Sequence, residues 1–214
     1  MLRRFAAAFL SLSLLASAAD ARSFARPPAP TEVAPDDMPD MRMPMAPVSR
    51  AEVLKALAAR RAKNLAAFRA YRKGGVYPHN TIRSGPLNVW IDDDGHLCAA
   101  ATMIAADGRR DLVDQVAATN TNLRLLDVTD GPVMDWLLTS GFTLEEIDRI
   151  QAPMVLPSPV ERTPEWRMAE DARLRRGYVA TDAWLVKHRK AGLAMAADRL
   201  MEHPGLARAL VDAT

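Results

Sequence analysis

Apolar and polar positions divide the 214-residue chain into three stretches: an apolar run over 5–19, an aperiodic stretch over 22–48, and helical periodicity from Ser49 onward. Beyond Ser49, at about 100° per residue, Val53, Leu54, Leu57, Leu65, Phe68 and Tyr71 fall on one broad face, which predicts an amphipathic helix. Ser49-Arg50-Ala51-Glu52 offers a capping box at its start, and Gly74-Gly75 a stop. Arg61 and Arg72 intrude on the apolar face.

After this helix, Pro78 makes 76–80 extended, and a loop runs through Gly85-Pro86. Apolar residues at 87–91 and 96–98 flank Asp92-Asp93-Asp94-Gly95, which predicts a two-stranded β-hairpin at about 87–98. Helices are predicted at 99–106 and 109–119, with a short extended piece at 123–128 between them and the next helix. Asp130-Gly131-Pro132 opens that helix, which ends near Ser140-Gly141, and Thr143-Leu144-Glu145-Glu146 is a second capping box opening a helix that Pro153 stops. Thr163-Pro164 starts further helix, with a break expected at Gly177, a longer helix over 181–202 and a short one after His203-Pro204-Gly205. Trp166 and Trp184 are the expected packing anchors of these helices. The fold class is therefore α+β and mainly α-helical. A single domain spans 49–214, with a core at about 49–153 and C-terminal helices at about 163–212.

The first stretch has the build of a secretory signal peptide. A basic start with Arg3 and Arg4 precedes an apolar run too short to span a bilayer, and small residues follow. Two cleavage sites compete, after Ala18 or after Ala21, and no cysteine follows either to take a lipid. Residues 1–21 are read as the signal peptide, and the rest of a twin-arginine motif is missing after Arg3-Arg4. An exported protein is expected, periplasmic or extracellular, with no transmembrane helix in its mature part. Residues 22–48 hold seven of the fifteen prolines and read as a disordered linker. Met38, Met41, Met43 and Met45 have a spacing that would suit Cu(I), but no His or Cys accompanies them, and low-complexity spacer is the preferred reading.

Charge narrows the partners. Without Arg3, Arg4 and Asp20 the chain keeps 26 basic and 25 acidic residues, a balance that excludes a bulk nucleic-acid binder. Locally the balance is uneven: 50–73 carries eight bases and one acid, and 92–159 twelve acids and four bases. The basic helix at 50–73 either docks on acidic residues of its own chain, the preferred reading, or makes peripheral contact with an anionic membrane. The acidic helix pair around Gly141 resembles a helix-turn-helix only in outline, and its charge argues against DNA.

Cys98 is the only cysteine, so no internal disulfide forms. Cys98, His79, His96 and Asn80 form the one candidate catalytic set. A helix starting after Cys98 would lower its pKa, His79 or His96 would serve as base, and Asn80 would orient that base. The competing account makes Cys98 a small buried residue and His79-Asn80 a loop cap. No cofactor and no metal is expected: the three aspartates lack EF-hand spacing, and His79, His96 and Cys98 lack a fourth zinc ligand. Trp184, His188, Ala191 and Met195 share a helical face read as ordinary packing.

The run from Tyr77-Pro78-His79-Asn80 through Asp94-Gly95-His96-Leu97-Cys98-Ala99, Asp111-Leu112-Val113, Thr119-Asn120 and Asp127 to Trp136, Ser140-Gly141, Thr143-Leu144-Glu145-Glu146 and Ile150-Gln151 resembles a segment of uncharacterised exported bacterial proteins. The likeness covers about residues 77–151, implies an exported bacterial protein, and carries over no functional residue. The expected function is a non-enzymatic module contacting a protein or envelope component. The alternative is a cysteine-dependent hydrolase or thiol-redox protein using Cys98 with His79 or His96.

Overall fold

The structure, a computed structural model, describes residues 47–158 and 163–214. The expected signal peptide and nearly all of the linker, with Met38, Met41, Met43 and Met45, lie outside the described residues. The described chain is mainly helical with one small antiparallel sheet.

Helix α1 (Arg50–Gly74) is the axis of the fold. Its capping box forms in full: the Glu52 amide donates to Ser49 Oγ at 3.3 Å, and the Ser49 amide donates to Glu52 Oε2 at 2.8 Å. At its other end Gly75 closes the last turn by donating to the Tyr71 carbonyl. Val53, Leu57 and Phe68 are fully buried, each such side chain stabilising by about 1.5–3 kcal/mol relative to exposure. α1 packs against α2 (Ala99–Ala106), α6 (Pro164–Lys187), α7 (Arg189–Met201) and α8 (Pro204–Asp212). Leu174, Tyr178, Leu185, Leu200 and Leu210 share one hydrophobic cluster with α1, so the C-terminal helices complete the same core. Tyr178 meets Phe68, Tyr71 and Tyr77 with ring centroids 5.4–5.6 Å apart, the range that favours edge-to-face contact.

Helices α3 (Arg110–Asn120), α4 (Gly131–Thr139) and α5 (Leu144–Ile150) follow α2, with a 3-10 turn at Leu125–Asp127 where an extended piece was expected. The second capping box also forms, Thr143 and Glu146 exchanging both bonds at 2.9 and 3.2 Å. Asp130 precedes α4 but its side chain makes no capping bond.

The sheet joins β1 (Gly85–Leu87) to β2 (Met154–Leu156), antiparallel, with Pro86 opposite Val155. Val155 directs its N–H to Glu170 Oε1 at 2.7 Å and its carbonyl to Trp166 Nε1 at 3.2 Å, both on α6. Pro86 therefore stands at a pair that exchanges no ladder bonds, and its missing N–H costs nothing there. The turn at 92–95 forms too, but its strands are reduced to one bridge between Ile91 and Leu97. The reason is local. Cys98 already caps α2, and Trp90 donates instead to the Thr121 carbonyl at 2.7 Å, so little return strand is left to pair.

A second difference concerns Gly177. Helix α6 runs through it, and the chain breaks at His188, between α6 and α7. Glycine in an exposed helical position costs only about 1 kcal/mol against alanine, less than the burial of Leu174, Tyr178 and Leu185 on either side. His188 closes α6 by stacking on Trp184 at 4.1 Å, its Nδ1 2.8 Å from the Trp184 carbonyl.

Candidate functional site

The four candidate residues separate into three environments. Cys98 is the N-cap of α2, 1% exposed, and its Sγ accepts a hydrogen bond from the Ala101 amide at 3.4 Å. The helix N-terminus was expected to lower the thiol pKa. Instead burial dominates and pushes it up to about 11, the Ala101 and Ala100 amides opposing only in part. Among the described residues neither imidazole hydrogen-bonds to Sγ, so no base reaches the thiol in this arrangement.

This environment predicts the thiol's behaviour. Alkylation of Cys98 in the folded protein at pH 7–8 is expected to proceed only at the rate of opening, and a rate matching the denatured control would contradict the burial. The linkage has a definite sign. The folded thiol ionises near pH 11 against 9.0 for an unperturbed one. Its contribution to stability is therefore complete below about pH 9 and lost as pH rises through 11. Tyr71 and Tyr178, likewise held neutral by burial, add to the same alkaline loss.

Asn80 is fully buried and staples its own loop. Nδ2 donates to the carbonyls of Arg83 and Gly85 at 2.8 and 2.9 Å, while Oδ1 accepts from the Ile82 and Arg83 amides. That is an Asx turn holding 80–85, with no imidazole among its partners.

His79 and His96 do come together, around Asp92. The Asp92 carboxylate is 3% exposed and accepts from three backbone amides: His96 at 2.8 Å and Asp94 at 3.1 Å on Oδ1, His79 at 3.1 Å on Oδ2. Its Oδ2 also lies 3.2 Å from His96 Nδ1 and 4.0 Å from His79 Nδ1. On the far side of the His79 ring, Nε2 meets Asp171 Oδ1 of α6 at 3.0 Å, and Trp166 packs against the ring with centroids 5.7 Å apart. Asp94 joins from the rim, with Asp92, Asp94 and His96 donor atoms all within 4.8 Å of one another. Arg167 of α6 reaches Asp94 at 3.5 Å. The aspartates were visible in the sequence as turn residues. Asp171, 92 positions from His79, carried no local signal.

Two other features bear on partners. Six of the eight cations of α1 pair with acids of the same chain: Arg60 and Lys63 with Asp107, Arg61 with Glu146, Arg69 and Arg72 with Asp182, and Arg50 with Asp198, and of these cations only Arg61 is buried. Asp107 and Glu146 belong to the acidic 92–159 region, but Asp182 and Asp198 lie on the C-terminal helices. No helix among the described residues is long and apolar enough to cross a membrane.

The second feature is a cleft of ≈ 220 Å³ between α3 and α4, walled by Leu112, Val116, Leu123, Val128, Pro132 and Val133. Gln115, Thr119, Asn120 and Asp130 form its polar rim. Asp130 on this rim is exposed and makes no ion pair among the described residues. No protein-family profile, curated protein or solved structure matches the chain.

Proposed function

We propose that this is an exported, non-enzymatic interaction module, and that the cleft between α3 and α4 receives an apolar segment of a partner protein flanked by Lys or Arg. The cleft carries the reading. Its volume fits one or two aliphatic side chains, its walls are apolar and open to solvent, and the exposed Asp130 on its rim complements a basic flank. Export rests on the basic start, the apolar run over 5–19 and the small residues at 16–21. The bacterial exported proteins that 77–151 resembles agree with that address. The sealed thiol of Cys98 argues against the hydrolase and thiol-redox alternative.

The test is photo-crosslinking from the full chain in its host, with a benzophenone side chain at Thr119 on the rim or at exposed Met168 on α6. The Thr119 probe is expected to trap one protein through a peptide with apolar residues between Lys or Arg, the Met168 probe is not, and Asp130→Asn should weaken the product. Identical products from both probes, or none from Thr119, would overturn the reading. The same cultures locate the protein: export predicts a mature chain beginning at Ala19 or Arg22 in the periplasm or medium.

A further inference from the structure

We propose that the outward face of α6 is a docking surface for an anionic phospholipid membrane, which it meets without crossing. At about 100° per residue, Arg175, Val186, Val179, Ala183, Arg176 and Lys187 follow one another across a sector of about 120°, all of them exposed. Leu174, Tyr178 and Leu185 lie on the opposite side and enter the core. The outward sector is therefore amphipathic in its own right. Val179 and Val186, 48% and 56% exposed, form with Ala183 an apolar strip open to solvent, and cations stand along both of its edges.

Charge says what covers the strip. Arg175, Arg176 and Lys187 make no ion pair among the described residues, and neither do Arg189 and Lys190 just beyond the break at His188. From 172 to 197 the sequence holds a single acid, Asp182, and Arg69 and Arg72 of α1 already share it at 2.9 and 3.1 Å. In a chain whose total charge is near neutral, these five uncompensated cations gather around one exposed apolar strip. Their complement is an extended negative surface with an apolar layer beneath it. An anionic lipid interface has that build: the valines and the alanine settle at the headgroup boundary, and the long cationic side chains at the edges reach lipid phosphates. Arg175 and Lys187 stand about 18 Å apart along the helix, a span suited to a surface rather than to a single bound anion.

A neighbouring feature favours lipid over a purely charged partner such as an acidic tail. Next to Val186 a groove of ≈ 310 Å³ runs between α1 and the α6–α7 junction, walled by Ala58, Ala62, Leu65 and Val186, with Arg69 and Arg189 in its lining. An apolar groove lined by cations and no acid fits the upper part of an acyl chain whose phosphate those cations hold. Helix α1, where six of eight cations are already paired, is the poorer membrane contact. The surface on α6 is distinct from the cleft between α3 and α4, so vesicle binding and the Thr119 crosslink succeed or fail separately.

The experiment attaches an environment-sensitive nitrobenzoxadiazole dye to the full chain at Ala183→Cys, Cys98 being buried, and adds vesicles of phosphatidylglycerol and phosphatidylcholine in equal parts. The dye reports contact at α6 itself, separately from the apolar run over 5–19. Its emission is expected to rise and shift to the blue with these vesicles, to stay unchanged with phosphatidylcholine alone, and to fall back between about 0.05 and about 0.5 M NaCl. The same dye at Thr119→Cys is expected to stay unchanged. Arg176→Glu, Lys187→Glu and Lys190→Glu together should weaken vesicle partition at least about tenfold, with the helical circular dichroism intact. If the triple variant fails to fold, the salt series and the phosphatidylcholine control still decide the matter. No response at Ala183, an equal response on phosphatidylcholine or at Thr119, or undiminished partition of the folded triple variant would each overturn the proposal. Capture of an acidic protein instead of lipid by a benzophenone at Ala183 would overturn it as well.

Discussion

Arg61→Met is expected to lower the unfolding free energy by about 3–5 kcal/mol, the usual cost of leaving one member of a buried ion pair alone. Arg61 and Glu146 are 2% and 1% exposed, and their bond is bidentate, with both N···O distances at 2.7 Å. The guanidinium also donates to the carbonyls of Gly141 at 3.0 Å and Leu185 at 3.1 Å, and it lies 4.5 Å above the Phe142 ring. One side chain of α1 thus satisfies groups from the α4–α5 loop, from α5 and from α6. Methionine keeps most of the apolar stem but leaves the Glu146 carboxylate buried without its counter-ion, and two carbonyls without donors. Arg61→Met combined with Glu146→Gln should recover part of the loss, since a neutral amide still accepts from the Thr143 amide that Glu146 holds at 2.9 Å. Urea unfolding of the two singles and the double gives the coupling. Equal losses in single and double would show that the buried charge is not what the arginine compensates.

Arg61 also marks how far the fold was legible. As a cation on the apolar face of a predicted helix it was visible from spacing alone, because a charge at a core position announces a buried partner. Its partner was not, since Glu146 lies 85 residues away and looked like an ordinary capping-box acid. Both capping boxes, the stop at Gly74-Gly75 and the starts after Asp130 and Thr163 rest on neighbours within four residues, and these appear where they were expected. The pairing of 85–87 with 154–156 has no such local trace, and a strong turn at 92–95 drew attention to a nearer partner. Gly177 misled for the same reason. Its propensity is a local term, outweighed by the burial that continues on both sides of it.

The candidate site was legible in part, and along the same line. His79, Asn80, His96 and Cys98 were singled out for their chemistry within a twenty-residue window, and the fold sorts them by direction rather than proximity. Backbone geometry turns Cys98 into the start of α2 and His96 toward Asp92. The turn aspartate, read as backbone support, does support the backbone, and its Oδ2 also holds the His96 imidazole at 3.2 Å, while the His79 imidazole bonds to Asp171 instead. What makes His79 unusual is Asp171, brought up by a helix that the sequence left unassigned to this core.

Gly141→Ala is expected to be as damaging as loss of the buried pair, for a reason that side-chain chemistry does not touch. Gly141 has φ +83, a left-handed conformation that costs any other residue about 1 kcal/mol or more. A Cβ there would also stand 2.5 Å from the Leu57 carbonyl oxygen and 2.8 Å from the Arg61 amide nitrogen, both backbone atoms of α1 that cannot swing away. Relief requires the α4–α5 loop to retreat from α1, which lengthens the Arg61 bond to the Gly141 carbonyl and the Asn64 bond to the Ser140 carbonyl, now 3.0 and 2.9 Å. Strain and lost bonds together are expected to cost about 3–5 kcal/mol, at the upper end of single substitutions. Gly177→Ala is the internal control. It lies within α6 with nothing within 4 Å of its would-be Cβ, so the same methyl is expected to stabilise by about 0.5–1 kcal/mol. Thermal unfolding of the two variants should therefore shift in opposite directions, and a mild effect at Gly141 would mean that the loop does not approach α1 as closely as the packing requires.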